Sequence, residues 1–237
     1  MLSIAGLSKQ HGSRTVLSHV TFDARPGRVT GFLGPNGAGK SSTLRILLGL
    51  DRATTGTALI NGQPYRSLTD PLRIVGAMLE GSGAHRSRTA RNHLAWVARS
   101  NGIPRGRVDD VLEQVGLAAA GRSRVGTFSL GLGQRLGLAT ALLGEPAALV
   151  LDEPVNGLDP AGIRWLRELL RGQADAGGTV LLSSHLMSEV AEIADDLVVI
   201  TSGQIVAAGP LQQVTAGYAS LEDAFFGLTG GERGPLR

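Results

Sequence analysis

Gly34-Pro35-Asn36-Gly37-Ala38-Gly39-Lys40-Ser41 constrains this chain more than any other segment. It fits the spacing G-x-x-x-x-G-K-[ST], and its flanks agree, because Arg28–Leu33 reads as a strand and the stretch from about Gly39 to Leu48 as a helix. A strand, a glycine-rich turn and a helix in that order point successive backbone N–H groups into a concave turn at the positive end of a helix. Such a turn cradles phosphate. Lys40 adds a point charge at the β- and γ-phosphates, and Ser41 offers a hydroxyl to Mg²⁺. Only Lys9 and Lys40 among the 23 basic residues are lysine, so a compact ammonium at position 40 stands out against arginine used nearly everywhere else.

The remaining pattern supplies the sheet edge that such a loop needs. Leu149–Leu151, Val180–Leu182 and Leu197–Ile200 are short, wholly apolar strands separated by helices, the pattern of a parallel sheet covered on both faces. The first ends in Asp152-Glu153, where Asp152 is placed to hold Mg²⁺ and Glu153 to polarise an attacking water. The second runs into Ser183-Ser184-His185, so His185 is expected at the same carboxyl edge, in contact with the γ-phosphate. Residues 1–30 alternate around His11-Gly12 and Pro26-Gly27 and read as short, half-exposed strands, with Thr57–Ile60 as one more strand of the same sheet. From about 85 to 144 the spacing turns helical, as in Val108, Val111, Leu112 and Val115.

Composition excludes several classes. The 237 residues lack cysteine, so disulfide, zinc-thiolate and thiol chemistry are absent. No apolar run approaches the roughly 18 residues that span a bilayer, so the chain is expected to be soluble and to need a partner for any membrane role. Net charge is +3, but the arginines are scattered and no like-charge run exceeds two residues, so nucleic acid is not expected as a partner.

Together these residues resemble the ATP-binding subunit of ABC transporters, over about residues 2 to 229. Phe128-Ser129-Leu130-Gly131-Leu132-Gly133-Gln134-Arg135 is similar to the family's signature, usually LSGGQ, with Ser129 and Gly131 in place and Leu130 and Leu132 substituted. The drug-resistance exporter branch, of daunorubicin and bacitracin type, shows such a relaxed form. On its own, Ser129 reads as an N-cap for a helix carrying Leu132, Leu136, Ala139 and Leu143. Asn156–Pro160 resembles the D-loop, where Asp159 before Pro160 also reads as an N-cap. His11 stands where the family stacks an aromatic on adenine, and Glu80 replaces the usual Q-loop glutamine.

The resemblance implies an α/β fold with a P-loop NTPase core of ABC type, an antiparallel β portion and a helical subdomain at about 82–144. The domain would cover 1–229, with a tail at 230–237. It implies ATP and Mg²⁺ bound by His11, Gly34, Pro35, Asn36, Gly37, Ala38, Gly39, Lys40, Ser41, Ser42 and Asp152, with Glu153, His185 and Lys40 catalytic. Ser129 and Gly131 would act in trans in a homodimer or a pair of such subunits. The partner would be a membrane permease on a separate chain, with this subunit cytoplasmic and peripheral at the inner face, exporting a drug or other amphipathic compound. Two alternatives are an ABC-type ATPase acting on nucleic acid or ribosomes and a non-hydrolysing ATP-binding regulator. The first usually carries a coiled-coil insertion or two ATPase domains, and the second has no need of Glu153 and His185.

Overall fold

Alternating burial builds the first sheet. In the computed structural model, which describes residues 1–79 and 81–230, strand β1 (Leu2–His11) buries Leu2, Ile4 and Leu7, and β2 (Arg14–Ala24) buries Leu17, Val20, Phe22 and Ala24. The two pair antiparallel and run 10 and 11 residues, longer than the short strands expected there. A register shift between Ile4 and Leu7, around Gly6 at φ +58°, explains the length. The extra residue returns Leu7 to the buried face, so one strand continues where strict alternation would end it.

Strand β3 (Arg28–Leu33) is followed by the glycine loop, helix α1 (Lys40–Leu47) and β4 (Thr55–Ile60). β4 joins the free edge of β1, giving a three-stranded sheet of order β2-β1-β4. Next come α2 (Pro71–Ile74), β5 (Val75–Met78) and three helices, α3 (Ala90–Ser100), α4 (Arg107–Gln114) and α5 (Leu130–Leu142). The chain continues through β6 (Ala148–Asp152), α6 (Pro160–Asp175), β7 (Thr179–Ser184), α7 (Met187–Ala191), β8 (Asp196–Thr201), β9 (Gln204–Pro210), α8 (Leu211–Val214) and α9 (Leu221–Thr229).

The second sheet has the order β5-β6-β7-β3-β8-β9, parallel except for β9, which runs antiparallel to β8. Its strands are apolar on both faces because each face meets its own core. Val29 and Leu33 of β3 join a cluster with α3 to α6, while Phe32 joins the cluster formed with α1 and the antiparallel sheet. β3 lies between β7 and β8, with β6 beyond β7, so the loop after β3 opens beside the carboxyl ends of β6 and β7. The tail residues 231–237 and Glu80 lie outside the described residues.

Candidate active site

The glycine loop is gripped by both sheets. Gly39 takes φ +110° as the N-cap of α1, and a Cβ there would fall 2.5 Å from Leu17 Cδ2 of β2, so only glycine fits. Gly203 N donates to Ala38 O at 3.0 Å, and Ser18 N donates to Gly203 O at 2.8 Å, which ties the loop to the β8–β9 turn and to β2. Lys40 is buried, with Nζ donating to Gly34 O at 2.6 Å. The first turn of α1 has no acidic residue, so the positive helix end faces the loop uncompensated by its own helix.

β6 and β7 deliver the acidic groups. Asp152 is buried at the end of β6, and its Oδ1 accepts a hydrogen bond from Ser183 Oγ of β7. Glu153 follows in the left-handed region at φ +51°, which costs a non-glycine residue about 1 kcal/mol or more. Three hydrogen bonds hold it there. Glu153 N donates to both O and Oγ of Ser183 at 3.1 Å, and Gln134 Nε2 of α5 donates to Glu153 O at 3.2 Å. The turn swings the carboxylate towards the loop, with Oε1 3.7 Å from Lys40 Nζ and Oε2 2.8 Å from Nδ1 of His185, the residue after β7. An ionised carboxylate only accepts, so Nδ1 carries the proton.

A cavity of about 360 Å³ opens over these groups. His11, Pro35, Asn36, Gly37, Gly39, Lys40, Ser41, Ser42 and Glu153 line it, joined by Arg14 and Val16. Gly34, Ala38, Asp152 and His185 sit beside the lining rather than in it. The His11 side chain is 61% exposed, with Nε2 4.0 Å from Asp51 Oδ2. Lys9, the other lysine, is structural. It is buried, donates to Asp51 Oδ1 at 2.7 Å and to Arg52 O at 2.8 Å, and by that hydrogen bond holds the Asp51 carboxyl below its ordinary range.

Ser129 and Asp159 lie away from this cavity, each at a helix start. Ser129 Oγ accepts from Leu132 N at 3.3 Å, and Asp159 Oδ1 accepts from Gly162 N at 2.7 Å, so both cap as their sequence settings suggest. Their loops touch each other within one chain. A Cβ on Gly157 would fall 2.4 Å from Leu130 Cδ2, and one on Gly131 would fall 2.8 Å from Gly157 O. Residues 130–134 of α5 therefore grip the segment that runs from Glu153 to Gly157. Neither Gln134 nor Arg14 stands out in the sequence as a site residue. The available signal for Gln134 is its polar amide on a helix whose neighbours Leu136, Leu138 and Ala139 are buried.

A phosphate loop, an acidic pair and a histidine brought to one edge of a parallel sheet, with an antiparallel sheet packed beside the loop and helices between β5 and β6, define a nucleotide-binding ATPase of ABC architecture. The chain belongs to the ABC transporter family, whose model matches residues 17–156. It is 38% identical over 225 residues to the lantibiotic transport ATP-binding protein SrtF of Streptococcus pyogenes, covering 95% of this chain and 96% of that one. It is 40% identical over 209 residues to the bacitracin transport ATP-binding protein BcrA of Bacillus licheniformis, covering 87% and 68%. A solved ATP-binding subunit of an ABC transporter superposes with a TM-score of 0.87 at 28% identity, over 96% of this chain and 99% of that one. CbiO1 of Clostridium perfringens, part of the ABC transporter complex cbiONQ, gives 0.78 at 25% identity over 91% and 90%. The chain is an ATP-binding, ATP-hydrolysing motor subunit of an ABC transporter. No helix among the described residues is long and apolar enough to cross a membrane.

Proposed function

We propose that two copies of this subunit, or this one and a similar subunit, close on two ATP molecules and drive a separate membrane permease from the inner face of the membrane. The observation that carries this reading is the Lys40–Glu153–His185 cluster, with separations of 3.7 and 2.8 Å at the mouth of the glycine loop. Lys40 and the loop amides take the phosphates, Glu153 accepts a proton from the attacking water, and His185 orients that carboxylate and the γ-phosphate. Ser129 and Gly131, outside the cavity lining in their own chain, reach the nucleotide of the other subunit, and Asp159 lies at the seam. The domain spans 1–229, with the helices at about 82–144 moving as its subdomain.

The donor set fits Mg²⁺. Ser41 and Asp152 offer hard oxygen ligands, too few to hold the ion without phosphate oxygens and water, and no cluster of three His, Asp or Glu side chains competes among the described residues. Mg²⁺, when bound, neutralises charge on the β- and γ-phosphates. His11 faces the adenine end of the cavity. Glu80 holds the coupling-loop position in the sequence. An apolar groove of about 290 Å³ lined by Leu48, Leu50, Tyr65, Met78 and Leu79 suits a cytoplasmic loop of the permease. The lantibiotic and bacitracin transport proteins among its relatives support an amphipathic peptide or drug as cargo.

Turnover by mixed subunits tests this. Lys40→Ala and Ser129→Arg chains are each expected to be inactive, and their mixture to regain activity, because a mixed dimer collects both lesions in one site and leaves the other whole. Full activity of Ser129→Arg alone contradicts the in-trans role.

A further inference from the structure

Charge is divided unevenly along this chain. Residues 82–144 hold nine arginines against three acidic residues, a net charge of +6, while the rest of the chain carries −3. The fold gathers part of that excess on one face. Backbone hydrogen bonds join residues 86–91 to 121–126, with Val125 N donating to Arg88 O at 2.9 Å, Gly126 N to Arg86 O at 2.8 Å and Arg91 N to Gly121 O at 2.8 Å. That pairing brings Arg86, Arg88, Arg122 and Arg124 together, all exposed.

Their partners are few. Arg91 is ion-paired with Asp109 of α4, whereas Arg86, Arg122 and Arg124 meet no acidic side chain among the described residues. Arg88 lies 4.8 Å over the ring of Trp96, which is 55% exposed on α3. An indole left in solvent beneath a guanidinium, among arginines with no counter-ion, is the composition of a surface meant for the headgroup zone of a bilayer. The patch also continues from Gly81–Gly83 on the rim of the apolar groove, so a permease seated in that groove would hold it against the adjoining leaflet.

We propose that Arg86, Arg88, Arg122, Arg124 and Trp96 form a docking surface for anionic lipid headgroups, a second hold on the membrane beside the permease. The orientation rests on the transporter reading above, but the lipid contact itself needs no permease. Each arginine near an anionic surface strengthens partition by about fivefold, so three together contribute on the order of 100-fold. Attraction of this kind weakens as salt rises.

The test uses the purified full chain and vesicles of phosphatidylcholine with and without phosphatidylglycerol. Wild type is expected to float with the anionic vesicles only, with a blue shift of tryptophan emission that Trp96→Phe removes. The combination Arg86→Gln, Arg122→Gln, Arg124→Gln is expected to lose about 100-fold in partition. Arg25→Gln, Arg45→Gln, Arg164→Gln, which removes the same charge from other exposed positions, is expected to lose less than about threefold, since screened charges away from the contact count little. Equal losses in the two triple variants would overturn the patch in favour of net charge. Undiminished vesicle binding by the first triple, with loss of permease capture in detergent, would overturn it in favour of an acidic protein partner. Permease-free ATP turnover is expected to be unchanged in both triples. Its absence in wild type would count against the motor reading and leave the lipid result standing.

Discussion

Nδ1 of His185 lies 2.8 Å from Oε2 of Glu153, while the other oxygen of that carboxylate faces Lys40 Nζ at 3.7 Å. His185 thus holds one oxygen of the proposed base while Lys40 faces the other. His185→Ala is expected to lower kcat by about 10²-fold with a much smaller change in the KM for ATP, because the loop that binds phosphate is untouched. Steady-state kinetics check this. A rise in KM at unchanged kcat would assign His185 to binding alone.

Gln134 is buried, and its Nε2 donates to the carbonyl of Glu153 at 3.2 Å. That carbonyl belongs to a residue held at φ +51°, so loss of the bond frees a strained turn. Gln134→Ala is expected to reduce kcat by about tenfold while ATP affinity, measured by equilibrium binding, stays within about twofold. Equal losses in both would show a general packing defect.

His93 sits buried on α3 with Nε2 3.3 Å from Thr140 Oγ1 and Nδ1 without a partner among the described residues. Burial, and then the nearby charge of Arg88, push its pKa below the ordinary histidine range. The unfolded chain therefore takes up a proton that the folded chain refuses as pH falls through about 6.5. Stability present above that pH is lost on acidification, down to the folded pKa. Melting temperatures from about pH 7.5 to 5.5 are expected to fall more steeply for wild type than for His93→Gln. Parallel curves would remove His93 as a source of pH sensitivity.

The parallel sheet was legible because wholly apolar strands such as those in β6, β7 and β8 carry a strong local signal, and because the loop motif fixes what lies on either side of it. β5 and β9 were not. β5 has four residues with Gly76 among them, and β9 alternates between half-buried and exposed positions, so neither stands out from a turn. Within the site, Lys40, Glu153 and His185 could be read from position at strand ends. The grip of Gln134, Leu130 and Gly131 on residues 153–157 could not, since it depends on how a helix packs across a distant turn. Lys9 shows the same limit. Its rarity matched that of Lys40, and since no motif surrounds it, its structural role is visible only in the contacts with Asp51 and Arg52.

Glu153→Gln is the decisive variant, because it removes the proposed base and keeps the glycine loop whole. The variant is expected to bind ATP with Mg²⁺ as tightly as wild type, to show no steady-state hydrolysis, and to elute as a stable dimer on gel filtration in ATP. Unchanged turnover, or a variant that stays monomeric in saturating ATP, would contradict the proposed mechanism.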